Sequence, residues 1–151
     1  MSDRRTPITI LLADDDEEDR MLASEALEAA RLGNDLRFVS DGEELLAYLR
    51  HEGKYADPES SPRPGVILLD LNMPRMDGRE ALEHIKSDPT LRKIPVVIMT
   101  TSRAEEDIDS SYDHGASGFV VKPVEFDGLV AAIQSIGKYW FEFVERPDTE
   151  A

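Results

Sequence analysis

Several short apolar runs in this chain end on residues that can do chemistry. Residues 8–13 lead into Asp14-Asp15-Asp16, residues 66–70 end on Asp70, residues 96–100 close on Thr100-Thr101-Ser102, and residues 118–121 lead into Lys122-Pro123. Carboxylates brought together repel one another unless a cation sits among them. A hard divalent ion such as Mg²⁺ takes oxygen ligands, keeps several waters and can bridge a carboxylate pair to a phosphoryl group. The Lys122 ammonium supplies a fixed positive charge for phosphoryl oxygens, and Thr100 supplies a hydroxyl donor. In that company Asp70 has what a phosphoryl-accepting nucleophile requires. Each residue also has a plainer reading. The three aspartates could cap a helix, Asp70 and Lys122-Pro123 could be turn residues, and Thr100 could bond to backbone. The force of the pattern lies in their joint placement at strand ends.

That placement depends on the elements. Five short runs, at residues 8–13, 36–40, 66–70, 96–100 and 118–121, are rich in Ile, Val and Leu. Near-continuous apolarity of this kind belongs to strands buried on both faces of a parallel sheet. Segments with helical spacing lie between them. Gly42, Leu45, Leu46 and Leu49 share a face, as do Gly78, Ala81, Leu82 and Ile85. Phe126, Leu129, Val130, Ile133, Ile136 and Trp140 form the longest stripe, while residues 17–32 and 104–114 carry weaker ones. Asp41-x-x-Glu44, Asp77-x-x-Glu80 and Ser102-x-x-Glu105 look like capping boxes, and Gly33, Gly53 and Gly115 sit where helices should stop. Strand then helix, five times over, is an α/β pattern with right-handed crossovers. In open sheets of this kind the site lies beyond the carboxyl ends of the strands.

The segments 10–16, 66–78 (Val-Ile-Leu-Leu-Asp70-Leu-Asn72-Met-Pro-Arg-Met-Asp-Gly), 95–102 and 115–123 together resemble, in order, the receiver domain of two-component response regulators. The likeness spans about residues 7–140. It implies a flavodoxin-like (βα)5 doubly wound sheet of order 2-1-3-4-5, an architecture the general rule illustrates with another receiver. It further implies that Asp70 is the phosphoacceptor and that Asp15 binds Mg²⁺ directly, with Asp14 acting mainly through water. Asn72 would offer its backbone carbonyl to the ion, and Lys122 would reach the phosphoryl group, with a cis bond to Pro123. Thr100 would be the switch hydroxyl. Phe119 falls where the family's aromatic switch resides, often a Tyr, so any hydrogen-bonded version of that switch is lost. Asn72 and Ser102 would flank the path of the hydrolytic water. The implied function is phosphoryl acceptance from a sensor histidine kinase, followed by contact with a downstream protein, rather than enzymatic turnover.

Composition narrows the alternatives. The chain has 151 residues, 17 Lys and Arg against 32 Asp and Glu, a net charge of −15 and no cysteine. This excludes disulfides and thiol chemistry, opposes nucleic-acid or anionic-membrane binding, and offers no membrane-spanning stretch. A cytoplasmic protein is expected, with a single domain over 1–140 and an aromatic, then polar, extension over 141–151. That leaves no length for an attached DNA-binding domain. A Pro- and Ser-rich stretch at 55–64 reads as an exposed loop. That stretch and the aromatic tail resemble stand-alone regulators partnered with phytochrome-type kinases. Tyr139, Trp140, Phe141, Phe143 and Val144 are more than one helix can hide in a single stripe. Trp140 and Val144 continue the core stripe and Tyr139 and Phe143 fall on a neighbouring one, which points to a homodimer through the face of the fourth helix, fifth strand and fifth helix. His51, His84 and His114 show no ligand spacing and read as surface residues. The competing class is a Mg²⁺-dependent aspartyl-phosphate hydrolase, which wants its Asp-x-Asp after the first strand and a cap domain. A flavin carrier of the same fold ranks last.

Overall fold

The structure is a computed structural model that describes residues 8–29, 35–100, 105–122 and 125–136. Strands β1 (Thr9–Ala13), β2 (Asp35–Val39), β3 (Val66–Leu69), β4 (Val96–Thr100) and β5 (Gly118–Val121) alternate with helices α1 (Glu17–Ala29), α2 (Gly42–Leu49), α3 (Gly78–Ser87), α4 (Glu105–Asp113) and α5 (Phe126–Ile136). All strand pairs are parallel and the sheet order is β2-β1-β3-β4-β5, as expected for the doubly wound fold.

The period of two along each strand divides the core into two layers. Leu11 and Ala13, Ile67 and Leu69, and Val96 and Ile98 face the layer that takes in Leu45, Leu46 and Leu49 of α2 and Ala81, Leu82 and Ile85 of α3. Ile10 and Leu12, Val66 and Leu68, and Val97 and Met99 face the other, with Ala23, Ala26 and Leu27 of α1 and Ile133 of α5. Both faces of β1, β3 and β4 are therefore sealed, which explains their unbroken apolar sequences. Edge strand β2 is more exposed.

The caps show how the chain turns at the sheet's carboxyl edge. Asp41 accepts from the Glu44 amide at 2.8 Å and Asp77 from the Glu80 amide at 3.0 Å. Glu44 reaches back as a capping box requires, but to the amide of Ser40, one residue earlier than the usual partner. Gly78 starts α3 so close to β3 that a Cβ there would lie 2.2 Å from the Asp70 carbonyl oxygen, so only glycine fits. Helix α2 stops before Gly53. Arg50 is its C-cap, and His51 takes the left-handed conformation at φ 56°. The His51 ring offsets that cost by bonding the Ser61 carbonyl at 2.9 Å. Gly33 and Ser102 lie outside the described residues.

Of the 55–64 segment, expected to be an exposed loop, only 56–60 is exposed; Tyr55, Pro62 and Arg63 are half-buried, Ser61 and Pro64 are buried, and the stretch is tied down. Arg37 donates to the Ser60 carbonyl, Tyr48 to that of Pro62, and Arg63 to that of Thr90, at 2.7–2.8 Å. No helix among the described residues is long and apolar enough to cross a membrane.

Candidate functional site

The sheet ladder runs one residue past the strands and sets the site. The Asp70 amide donates to the Ala13 carbonyl at 3.0 Å, the Asp14 amide to Val39 at 3.0 Å, and the Lys122 amide to Thr100 at 2.7 Å. These bonds bring the ends of β1, β3, β4 and β5 into one row. Carboxylate oxygens of Asp14, Asp15 and Asp70 then lie within 4.8 Å of one another. Asp14 and Asp70 are buried, and Asp15 is exposed. The third member of the triplet does something else. Asp16 accepts from the amides of Glu18 and Asp19 at 2.9 and 3.4 Å, so it alone takes the role of capping α1.

Lys122 is the cation of this cluster. Its Nζ donates to Asp14 at 2.6 Å, Asp19 at 2.7 Å and Asp70 at 3.3 Å. Burial works against the ammonium, but the hydrogen bonds to Asp14 and Asp19 outweigh it and hold Lys122 well above an ordinary lysine. Burial also pushes Asp14 above the usual carboxylate range, against the lowering effect of Lys122. The two ends of one ion pair thus differ. Lys122 gathers three anions, whereas Asp14 gives up nearly all its water for a fraction of one cation. A site with surplus carboxylate oxygens and no sulfur or imidazole donor suits a hard divalent ion.

Asn72 sits two residues beyond Asp70. Its amide donates to Asp70 Oδ1 at 3.1 Å and its Nδ2 to Thr100 Oγ1 at 3.4 Å. Thr100 is fully buried at the end of β4. The register pairs Ile98 with Phe119, so Phe119 shares the sheet face of Ile98 and Thr100 and packs, half-buried, against that layer of the core. Asp70, Asp14, Asp15, Asn72, Thr100 and Lys122 therefore converge, and Phe119 lies down the strand from them. Ser102, the Lys122–Pro123 bond and the aromatic residues Tyr139, Trp140 and Phe143 lie outside the described residues. His51 is half-buried on its carbonyl, His84 is exposed, and His114 lies 3.6 Å from Glu83, so none joins the site.

Three contributors are absent from the sequence reading. Asp19 is the second partner of Lys122. Its signal is its place in the first turn of α1, where side chains lean back over the helix N-terminus. Arg20 donates to the Asp14 carbonyl at 2.9 Å and to Ser40 Oγ at 3.3 Å. Arg75, at φ 64°, pairs with buried Asp41 at 3.0 Å while the Gly42 amide bonds the Met76 carbonyl at 2.9 Å, clamping α2 to the turn that follows Asp70.

Residues 10–134 match the family described as response regulator receiver domain. The chain belongs to this family. This receiver is similar to response regulator Rcp1 of Synechocystis sp., with 40% identity over 148 residues, 97% of this chain and 99% of the relative. It is also similar to the crystal structure of the phosphorylated cyanobacterial phytochrome response regulator RcpA. That match has a TM-score of 0.86 and 41% identity, over 94% of this chain and 99% of that one. The Mn²⁺-bound form of Rcp1 superimposes with a TM-score of 0.83 at 40% identity, over 93% of this chain and 99% of that one. The receiver is thus a response regulator highly similar to phytochrome response regulators.

Proposed function

We propose that this receiver takes a phosphoryl group on Asp70 from a sensor histidine kinase and signals through the resulting change of shape. The observation that carries the reading is the convergence of Asp70 with two further carboxylates, a half-buried ammonium and a buried threonine hydroxyl. Mg²⁺ suits this donor set: Asp15 and Asp70 would hold it directly, Asp14 would act through water, and the Asn72 carbonyl would support it. When bound, it would neutralise charge between Asp70 and the incoming phosphoryl group. That a similar regulator is known in a Mn²⁺-bound form supports a divalent ion here.

The chain's own residues do the rest. An Asp70 oxygen attacks the phosphorus of the phosphohistidine. The new O–P bond forms as the P–N bond breaks, and the imidazole leaves with that electron pair and takes up a proton. Lys122 binds one equatorial oxygen and Thr100 moves to donate to another, while Phe119 follows Thr100 on the same sheet face. For hydrolysis, water attacks phosphorus in line past Asn72 and Ser102, the acyl-phosphate O–P bond breaks, and phosphate and the Asp70 carboxylate are restored. Neither flanking residue is a strong base, so the rate depends on positioning.

The likeness to RcpA, a phytochrome response regulator, favours a phytochrome-type kinase as donor. The output is contact with a downstream protein and not nucleic acid, in keeping with the net charge of −15. The setting is the cytoplasm. Residues 1–140 form the receiver unit, and the 141–151 extension, with Tyr139, Trp140 and Phe143, supports a homodimer. The test is labelling by a small acyl-phosphate donor with Mg²⁺ or with chelator, in wild type and Asp70→Asn. Label that is lost in acid, in alkali and on hydroxylamine treatment, as an acyl phosphate requires, and that needs both the ion and Asp70 is expected. Equal labelling of Asp70→Asn, or equal labelling in chelator, overturns the assignment.

A further inference from the structure

We infer that Asp19 is a positioning residue that holds Lys122 back from Asp70 and so sets how readily Asp70 takes a phosphoryl group. The inference rests on the reading of Asp70 as acceptor and Lys122 as the cation that meets the phosphoryl group. An ammonium has three N–H donors, and here all three are spent, on Asp14 at 2.6 Å, Asp19 at 2.7 Å and Asp70 at 3.3 Å. The longest of the three is the one to the acceptor. The two shorter bonds draw the ammonium toward the end of β1 and the first turn of α1.

A phosphoryl oxygen arriving at Asp70 needs one of these donors, and the three partners do not release theirs equally. The Asp14 side chain is 2% exposed, so losing Lys122 would leave a buried carboxylate uncompensated. Asp19 is 35% exposed, and water can replace the ammonium there. The Asp19 bond is therefore the one that breaks as Lys122 turns to the phosphoryl group. A space of about 50 Å³ beside Lys122 and Asp19, walled by Leu12, Leu22, Met99 and Leu129, leaves the lysine stem loosely packed on that side. Arg20, the neighbouring cation on α1, directs its Nη1 to the Asp14 carbonyl and Ser40 Oγ. The Lys122–Asp19 pair thus stands as a latch that every phosphoryl transfer must open.

The test uses the full chain, Mg²⁺ and acetyl phosphate, whose P–O bond to acetate breaks as the Asp70 O–P bond forms. Asp19→Asn is expected to raise the maximal labelling rate roughly fivefold, the worth of a partly exposed ion pair. Asp19→Glu is expected to keep the slow rate. The gain should vanish in the Lys122→Ala background, because the effect passes through the lysine. In metal-free protein, the Lys122 ammonium protons should exchange with water faster in Asp19→Asn than in wild type, as read by ¹⁵N-edited NMR. An unchanged or slower labelling rate overturns the latch. So does a gain that persists without Lys122, which would mark simple loss of negative charge, and so does unchanged ammonium exchange. A wild type that takes no label overturns the Asp70 reading instead, which keeps the two failures distinct.

Discussion

Removing the Lys122 charge should make the fold depend on a cation. In Lys122→Met the stem is kept and the ammonium is lost. Coulomb's law at an effective dielectric of about 20 gives roughly 6 and 5 kcal/mol for unit charges at the 2.6 and 3.3 Å that separate Nζ from Asp14 and Asp70. Burial of Asp14 cancels much of this, since its carboxyl is held above the ordinary range even with the lysine present. Breaking a buried pair by removing one partner costs about 3–5 kcal/mol. Lys122 is 14% exposed, so water reaches the site and the lower end, about 3 kcal/mol, is expected. Urea unfolding followed by circular dichroism, in chelator at neutral pH, measures it. Adding Mg²⁺ should recover most of the loss, because a ligand at 100 times its Kd stabilises by about 2.7 kcal/mol. Lowering the pH should recover it as well. A carboxyl whose folded pKa is raised binds its proton more tightly folded than unfolded, so stability rises as pH falls toward the ordinary carboxylate range. A variant within about 0.5 kcal/mol of wild type in chelator would refute the account of Lys122 as the charge that makes the cluster tolerable.

Other expectations follow from single contacts. Thr100→Ala should still be phosphorylated, but amide shifts in NMR should then stay close to Asp70 and not extend to Phe119. Burial pushes the Tyr48 phenol from 10.0 to about 12, so its contribution to stability is intact below pH 10 and lost between the two values. Tyrosinate absorbance should show that late step, and Tyr48→Phe should remove it at a cost of about 1 kcal/mol for the lost bond to the Pro62 carbonyl. Sedimentation of wild type against a Tyr139→Ser, Phe143→Ser double variant should separate dimer from monomer, and a monomeric wild type at high micromolar concentration would end the dimer proposal.

The fold was legible in the sequence because β1, β3 and β4 are sealed on both faces, which leaves unbroken Ile, Val and Leu runs of the right length. The row of Asp14, Asp70, Thr100 and Lys122 was legible for a related reason: each follows such a run, and parallel strands in register must end together. Less legible were the residues that act across elements. Asp19 and Arg20 read as ordinary polar positions on α1, and only the placement of α1 over β1 turns one toward Lys122 and the other toward Ser40. The end of α2 is harder to read, because a glycine at 53 signals a stop, whereas His51 takes the left-handed turn two residues earlier, with its ring on the Ser61 carbonyl.

The tethered segment at 55–64 separates order from local composition. Arg37, Tyr48 and His51 all donate to its main-chain carbonyls, and Arg63 to the carbonyl of Thr90. Carbonyls are the same whatever residue carries them, so the information that shapes this stretch is stored mostly elsewhere in the chain. Exposed side chains such as Pro58 and Glu59 are accordingly free to drift, on the condition that the distant donors stay in place and that Asp57 keeps its carboxylate on the Glu59 amide at 3.0 Å.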